Sequence, residues 1–211
     1  MRQSFYKQDA AAEVPQSSRS TLPAMNRRDP ATRTRLYNHV QLDEVIADMA
    51  RRAAGLFPGS EPVGVIGILR RGAPLAGRIA ELLVSRHGMP PPLRLDLRVS
   101  RYADDLTLLH PETLLVENPA DADLLAGLAG RRLLVVDDVL YAGNSLLRAV
   151  DHLARHGAGE IRVAVLVDRN VARLPIRADI VGIRLQVAPP DIVECHVPPY
   201  EPDFAVELVR A

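Results

Sequence analysis

Hydrophobic and polar positions follow two periods along this chain, and the change of period marks out its elements. In "QLDEVIADMARRAA", from Gln41, the residues Leu42, Val45, Ile46, Met49 and Ala53 recur at helical spacing. Asp43 and Glu44 stand where a helix start favours negative charge, and Gly55 and Pro58 stop the pattern. Residues 62–69, "PVGVIGIL", form a short β-branched run that reads as a buried strand ending in a turn at "RRG". A helix follows through "APLAGRIAELLVSRHG", with Pro74 in its first turn and Gly88 past its end. "LRLDLRVS", residues 93–100, alternates as a half-buried strand would. Residues 101–132 are acidic, irregular and too long for a routine connection, which predicts a lid.

The pattern then sharpens. "LLVVDDVLYAGNSLLRAVDHL" predicts a strand over 133–137, a turn over 138–144 and a helix over 145–156, with Ser145 as N-cap and Gly157 as C-terminal stop. "IRVAVLVD", residues 161–168, is another buried strand, and "ADIVGIRLQV", "DIVECHV" and "FAVELVR" are three further strand-like runs. Strands alternating with helices predict an α/β fold whose central, mostly parallel sheet is flanked by helices, with the late short strands as a small subdomain at the edge.

Composition changes this picture in three places. Aromatics make up 4% of the 211 residues and Trp is absent, so the core must be built from aliphatic side chains. Formal charge is zero but uneven: residues 1–35 carry seven Lys/Arg against three Asp/Glu, leaving 19 against 23 for the rest. Residues 1–35 also lack any apolar period, which predicts a disordered basic tail ahead of one folded domain over 36–211. Cys195 is the sole cysteine, which excludes an intrachain disulfide and a cysteine-based zinc cluster and predicts a small buried hydrophobe. No stretch has a secretory core or a membrane-spanning apolar run, so the expected location is the cytoplasm.

In open parallel sheets, ligands bind beyond the carboxyl ends of the strands. Arg70-Arg71-Gly72, the Asp137-Asp138 pair and Asp168-Arg169 all fall at that edge. A turn leading into a helix N-terminus offers backbone N–H groups and the positive end of the helix dipole to a phosphate. Two adjacent carboxylates can accept from a vicinal diol or hold a divalent cation. Phosphate, diol and metal together describe a ribose phosphate, although a lone Asp-Asp pair after a strand is also the pattern of a solvated turn. There is no G-x-G-x-x-G after a strand and no P-loop signature, which argues against hydride and ATPase chemistry. His87, His152 and His156 read as surface or capping residues, and Tyr141 as packing beneath its loop.

"LLVVDDVLYAGNS" resembles the phosphoribosyl pyrophosphate (PRPP) motif of type I phosphoribosyltransferases, and "VDDVLY" is close to the form found in the PyrR family of pyrimidine operon attenuators with uracil phosphoribosyltransferase activity. "GILRRGAPLA", "RYADDL" and "AVLVDRNVARLPIRADIVG" agree in order. The resemblance implies a type I phosphoribosyltransferase fold with a C-terminal hood, and conversion of uracil and PRPP to UMP and pyrophosphate with Mg²⁺. It places Asp137 and Asp138 on the ribose hydroxyls, and near the metal mostly through substrate oxygens or water. The turn Ala142, Gly143, Asn144 and Ser145 would wrap the 5-phosphate, with Val139, Leu140 and Tyr141 before it also binding substrate. Arg71 and Gly72, with Arg70, would form the pyrophosphate loop. Arg101, Asp104 and Asp105 would belong to a flap over the leaving group, and Asp168 and Arg169 would lie near the nucleobase. Family members commonly form dimers or tetramers.

Several positions depart from the family pattern. The turn usually reads Thr-Gly-Arg-Thr and here reads Ala142-Gly143-Asn144-Ser145; Ala103 stands where the flap has an Arg; Val171 and Ala172 replace a His and an Arg. The last change, with the acidic Asp43, Glu44 and Asp48, removes RNA-binding features, for which Arg51, Arg52, Arg173, Arg177 and the tail are the alternative patch. A regulator sensing UMP or PRPP and binding RNA, or a transferase for another base, are the competing readings.

Overall fold

The computed structural model describes residues 32–59, 61, 63–100, 114–116 and 122–210. The elements, in order, are strand β1 (Thr32–Tyr37), helix α1 (His39–Leu56), β2 (Gly64–Leu69), α2 (Gly72–His87), β3 (Leu93–Ser100), β4 (Leu114–Val116), α3 (Ala122–Ala126), β5 (Arg132–Leu140), α4 (Asn144–Arg155), β6 (Glu160–Asp168), β7 (Ile180–Arg184), β8 (Ile192–His196) and β9 (Ala205–Arg210). They build a six-stranded sheet in the order β4-β3-β2-β5-β6-β7 and a three-stranded sheet in the order β1-β9-β8. Strands β3, β2, β5, β6 and β7 are parallel, and β4 alone runs antiparallel at the edge. The large sheet is the expected α/β architecture.

Helix α1 starts at Asn38, whose side chain accepts from the Gln41 N–H while the Gln41 side chain accepts from the Asn38 N–H. This capping box makes the start earlier than the acidic residues suggest, and Asp43 and Glu44 lie beyond the first turn. Its apolar face (Leu42, Ile46, Met49, Ala50 and Ala53) is buried against α2, β6 and β7. Each large aliphatic side chain on it contributes about 1.5–3 kcal/mol by leaving water. One core cluster joins α1 and α2 to the sheet and to hood residues Val193, Cys195, Val197, Phe204 and Val206. A second lies on the opposite face, where α3 and α4 supply Leu125, Leu146, Ala149 and Leu153. Strand β2 is buried on both faces between β3 and β5, which is why it reads as a continuous apolar run rather than an alternating one.

Four expectations change. Residues 32–35, assigned to the tail, are in β1, which pairs antiparallel with β9 from Thr32↔Arg210 to Tyr37↔Val206. "ADIVGIRLQV" supplies β7 of the main sheet, so the small sheet joins β8 and β9 with a strand from the other end of the described chain. The segment 101–132 contains β4 and α3, so it is not irregular throughout. Strand β5 runs on to Leu140, and α4 is capped by Gly143 in the left-handed region (φ 88°), leaving Ser145 inside the helix. Residues 1–31 and 101–113 lie outside the described residues, and with them Arg101, Ala103, Asp104 and Asp105.

Candidate active site

A cleft of about 490 Å³ opens at the carboxyl ends of the parallel strands. The β2–α2 turn lines it with Ile68, Leu69, Arg70 and Arg71, β5 with Asp137, Asp138 and Val139, and α4 with Ser145. Arg98 and Val99 from β3 and Tyr200 from the hood complete the wall.

The two carboxylates lie inside the end of β5 rather than in the turn after it. Asp137 Oδ1 accepts from the Asp138 N–H at 2.9 Å, and Asp138 Oδ1 from the Val139 N–H at 2.9 Å. Asp137 is only 8% exposed. Burial pushes its carboxyl well above the usual range, and the neighbouring Asp138 charge adds to the shift. Burial also raises Asp138, opposed by the Arg71 guanidinium. The pair is therefore poised to gain from any cation or donor that enters the cleft, since such a group offsets the cost of desolvated charge.

Helix α2 begins directly behind Asp137. A Cβ at Gly72 would stand 2.5 Å from the Val136 carbonyl oxygen and 3.0 Å from Asp137 Cα, so only glycine lets this turn approach β5 so closely. The Leu69–Arg70 peptide is cis. Arg71 Nε and NH2 both donate to Glu201 Oε1, at 3.0 and 2.5 Å, and Arg70 lies 5.0 Å from the centroid of the Tyr200 ring. Burial opposes the Arg71 charge, but Glu201 and Asp138 outweigh it and hold the guanidinium more firmly protonated than usual. Cations thus line one side of the cleft and carboxylates its floor.

The turn 141–143 leads into α4 with no side chain capping the helix start, so the first-turn N–H groups are available to an anion. Gly143 takes the positive φ, and a Cβ there would meet Ile176 Cγ2 at 2.5 Å; the loop after β6 presses against the turn from behind. Ser145 lines the cleft from the first turn of the helix.

Of the residues singled out from the sequence, Arg70, Arg71, Asp137, Asp138, Val139 and Ser145 line this cleft, while Ala142 and Gly143 lie in the adjoining turn and Asn144 is the first residue of α4. Asp168 and Arg169 do not line it. Asp168 lines a second cleft, of about 450 Å³, with Leu140, Arg177 and Arg184, and accepts from the Asn170 N–H at 2.8 Å. Arg169 is buried, and its NH2 donates to the Asp191 carbonyl at 2.9 Å and the Val187 carbonyl at 3.4 Å, tying β6 to the β7–β8 connection. Tyr141 is half exposed with the Arg169 guanidinium 4.7 Å from its ring centroid, rather than packed beneath the loop. Cys195 is buried as expected, with its thiol raised by burial. Arg51 pairs with Asp48 at the surface, and Arg52 donates to the Val181 and Asp179 carbonyls. Arg98, Tyr200 and Glu201 were not anticipated. The polar position of Arg98 in an alternating strand was the available signal, but nothing local marks the hood residues.

Parallel strands with a cleft at their carboxyl ends, and an uncapped helix start beside paired acids, make a site suited to a phosphorylated ligand, and the comparisons with known proteins specify the class. Residues 32–203 match the phosphoribosyl transferase domain model. The bifunctional protein PyrR of Deinococcus radiodurans is 38% identical over 151 residues, covering 71% of this chain and 80% of that protein. The Thermus thermophilus protein of the same name is 34% identical over 176 residues, covering 82% and 93%. Trypanosoma cruzi hypoxanthine phosphoribosyl transferase superposes with a TM-score of 0.64 at 18% identity, covering 88% of this chain and 95% of that one, which shows the shared fold. The chain belongs to the phosphoribosyltransferase family, in its PyrR group.

Proposed function

We propose that the cleft binds PRPP and transfers its ribose phosphate to uracil, giving UMP and pyrophosphate. The observation that carries this is the placement of buried Asp137 and half-buried Asp138 between an arginine-bearing turn and an uncapped helix start, all lining or adjoining one cleft. A substrate with a diol between two phosphorylated arms matches that order. The turn before α4 would hold the 5-phosphate, Asp137 and Asp138 the ribose hydroxyls, and Arg70 and Arg71 the pyrophosphate.

In the reaction a ring nitrogen of the base forms a bond to the anomeric carbon as the bond to the pyrophosphate oxygen breaks, and the proton carried by that nitrogen is released to solvent or to the departing pyrophosphate. Positive charge grows on the ribose, beside the carboxylates; negative charge grows on the leaving group, beside the arginines. No side-chain nucleophile is required. Asp137 and Asp138 bring two hard oxygen donors to the cleft, a set that would hold Mg²⁺ with its remaining positions filled by substrate or water oxygens. When bound, Mg²⁺ supplies charge neutralisation on the pyrophosphate. The segment 101–106 is proposed as the flap, and Asp168 as a group near the base side of the site. Among the described residues no helix is long and apolar enough to cross a membrane, in keeping with a cytoplasmic enzyme, for which we further propose a homodimer or tetramer.

The test is incubation of the purified protein with labelled PRPP and a panel of nucleobases, with and without Mg²⁺. Turnover with uracil that requires Mg²⁺ is expected; turnover with a purine alone, or no PRPP uptake by calorimetry, overturns the reading. A regulatory role with RNA as partner is favoured by one observation: the Arg173, Arg177 and Arg184 side chains are exposed and carry no ion pair among the described residues. Salt-sensitive binding of a pyrimidine-operon leader transcript, lost in the triple Ala variant, would support it.

A further inference from the structure

We propose that Glu201 is a positioning residue for phosphoribosyl transfer, holding one edge of the Arg71 guanidinium so that the other edge faces the pyrophosphate; this rests on the PRPP reading above. Arg71 sits on the turn before α2, and Glu201 on the β8–β9 connection of the hood, 130 residues away in sequence. A single carboxylate oxygen, Oε1, accepts from Arg71 Nε at 3.0 Å and NH2 at 2.5 Å. The other, Oε2, accepts from the Val197 N–H at 2.8 Å, so the carboxylate is itself anchored to the hood backbone. Its side chain is 15% exposed against 38% for Arg71, which places the anchor inside the protein and the guanidinium at the cleft surface.

A guanidinium has five N–H donors in a rigid planar fork. Engagement of the Nε–NH2 edge leaves the NH1 donors and one NH2 hydrogen, and NH1 has no acceptor among the described residues. Those donors belong to a residue that lines the cleft. An arginine otherwise free to swing would lose its rotamer freedom each time it met a phosphate; one already held meets the substrate without that loss. The neighbouring hood residue acts in the same direction, since the Tyr200 ring lies against Arg70. Two of the cleft's three arginines are thus contacted by adjacent residues of the hood, whereas Arg98, from β3, has no ion pair among the described residues. The alternative relation between Glu201 and the substrate is competition, in which the carboxylate occupies Arg71 until pyrophosphate displaces it. The two predict opposite signs.

The experiment is a double-mutant cycle on the full chain with Glu201→Ala, Arg71→Ala and the double variant, plus Glu201→Gln. PRPP and pyrophosphate binding are read by calorimetry with Mg²⁺, and kcat and KM for PRPP with uracil as acceptor. Glu201→Ala is expected to weaken PRPP binding by about tenfold or more. Glu201→Gln, which keeps an oxygen acceptor for Arg71 without the charge, should recover part of that loss. In the Arg71→Ala background, Glu201→Ala should have no further effect, because the residue acts through Arg71. Unchanged or tighter PRPP binding in Glu201→Ala overturns the proposal, as does an equal loss in the Arg71→Ala background, the mark of a merely structural role in the hood. Wild-type protein that takes up no PRPP overturns the PRPP reading and this proposal with it; wild-type uptake with an insensitive Glu201→Ala overturns this proposal alone.

Discussion

At Asp137 the burial of a single carboxyl sets stability against the role proposed for it. Its oxygen accepts the Asp138 N–H, so the residue is held in place, yet burial and the adjacent Asp138 charge push its pKa well up. In the unfolded chain an aspartate titrates at about 3.9. Above the raised native value both states are ionised, and the native state alone carries a desolvated charge. As pH falls through that native value the folded protein takes up a proton first, so the cost fades, and it is gone below the unfolded value. Asp137→Asn keeps the acceptor and removes the charge. It is expected to melt several degrees higher than wild type at neutral pH, by differential scanning calorimetry, with the advantage shrinking as the pH is lowered. The same variant should lose PRPP affinity by at least about tenfold, the loss expected when a charge-assisted hydrogen bond to the ribose is weakened. An equal or lower melting temperature at neutral pH would contradict the role of burial, and retained affinity would contradict the site.

At the scale of elements, the site depends on how closely the start of α2 approaches β5. Gly72 is the contact point, with no room for a Cβ against the Val136 carbonyl. Gly72→Ala must push the turn carrying Arg70 and Arg71 away from the acids or distort β5, at a cost of about 1–3 kcal/mol. A lower denaturant midpoint together with weakened PRPP binding is expected, and an unperturbed variant would show that the approach is not needed. This contact also measures how much was legible locally. Locally, "RRG" marks the glycine because it closes a strand and opens a helix. Its reason, proximity to a strand more than 60 residues later, lies in the packing. The Gly143 cap of α4 makes the same point: Ser145 has the chemistry of an N-cap, but the turn needs a left-handed residue, and Gly143 provides it one residue before the helix begins.

At the scale of the whole molecule, the hood joins the two ends of the described chain. Strand β1 is the outer partner of β9, and Tyr37 packs against the core cluster that also holds Val206. Without β1 the hood is a two-stranded hairpin, which is marginal by itself. A chain beginning at Asn38 should therefore melt several degrees lower and exchange amide hydrogens faster over Ala205–Arg210. It should also bind PRPP more weakly, since Tyr200 and Glu201 lie between β8 and β9; exchange as slow as in the longer chain would refute this.

Sequence by itself determined the large sheet, the helices over it and the acids, turn and arginines at the strand ends. In those segments the period of the side chains and the chemistry of adjacent residues are local properties, readable over ten or twenty positions. It took the packed structure to show that β1 is a strand, that Arg169 is a buried tie between connections, and that Tyr200 and Glu201 meet the arginines of the β2–α2 turn. Each of these depends on contacts between residues distant along the chain. An exposed strand of alternating Thr and Arg, or a Tyr-Glu pair between prolines, carries no periodic signal; its role comes from what packs beside it.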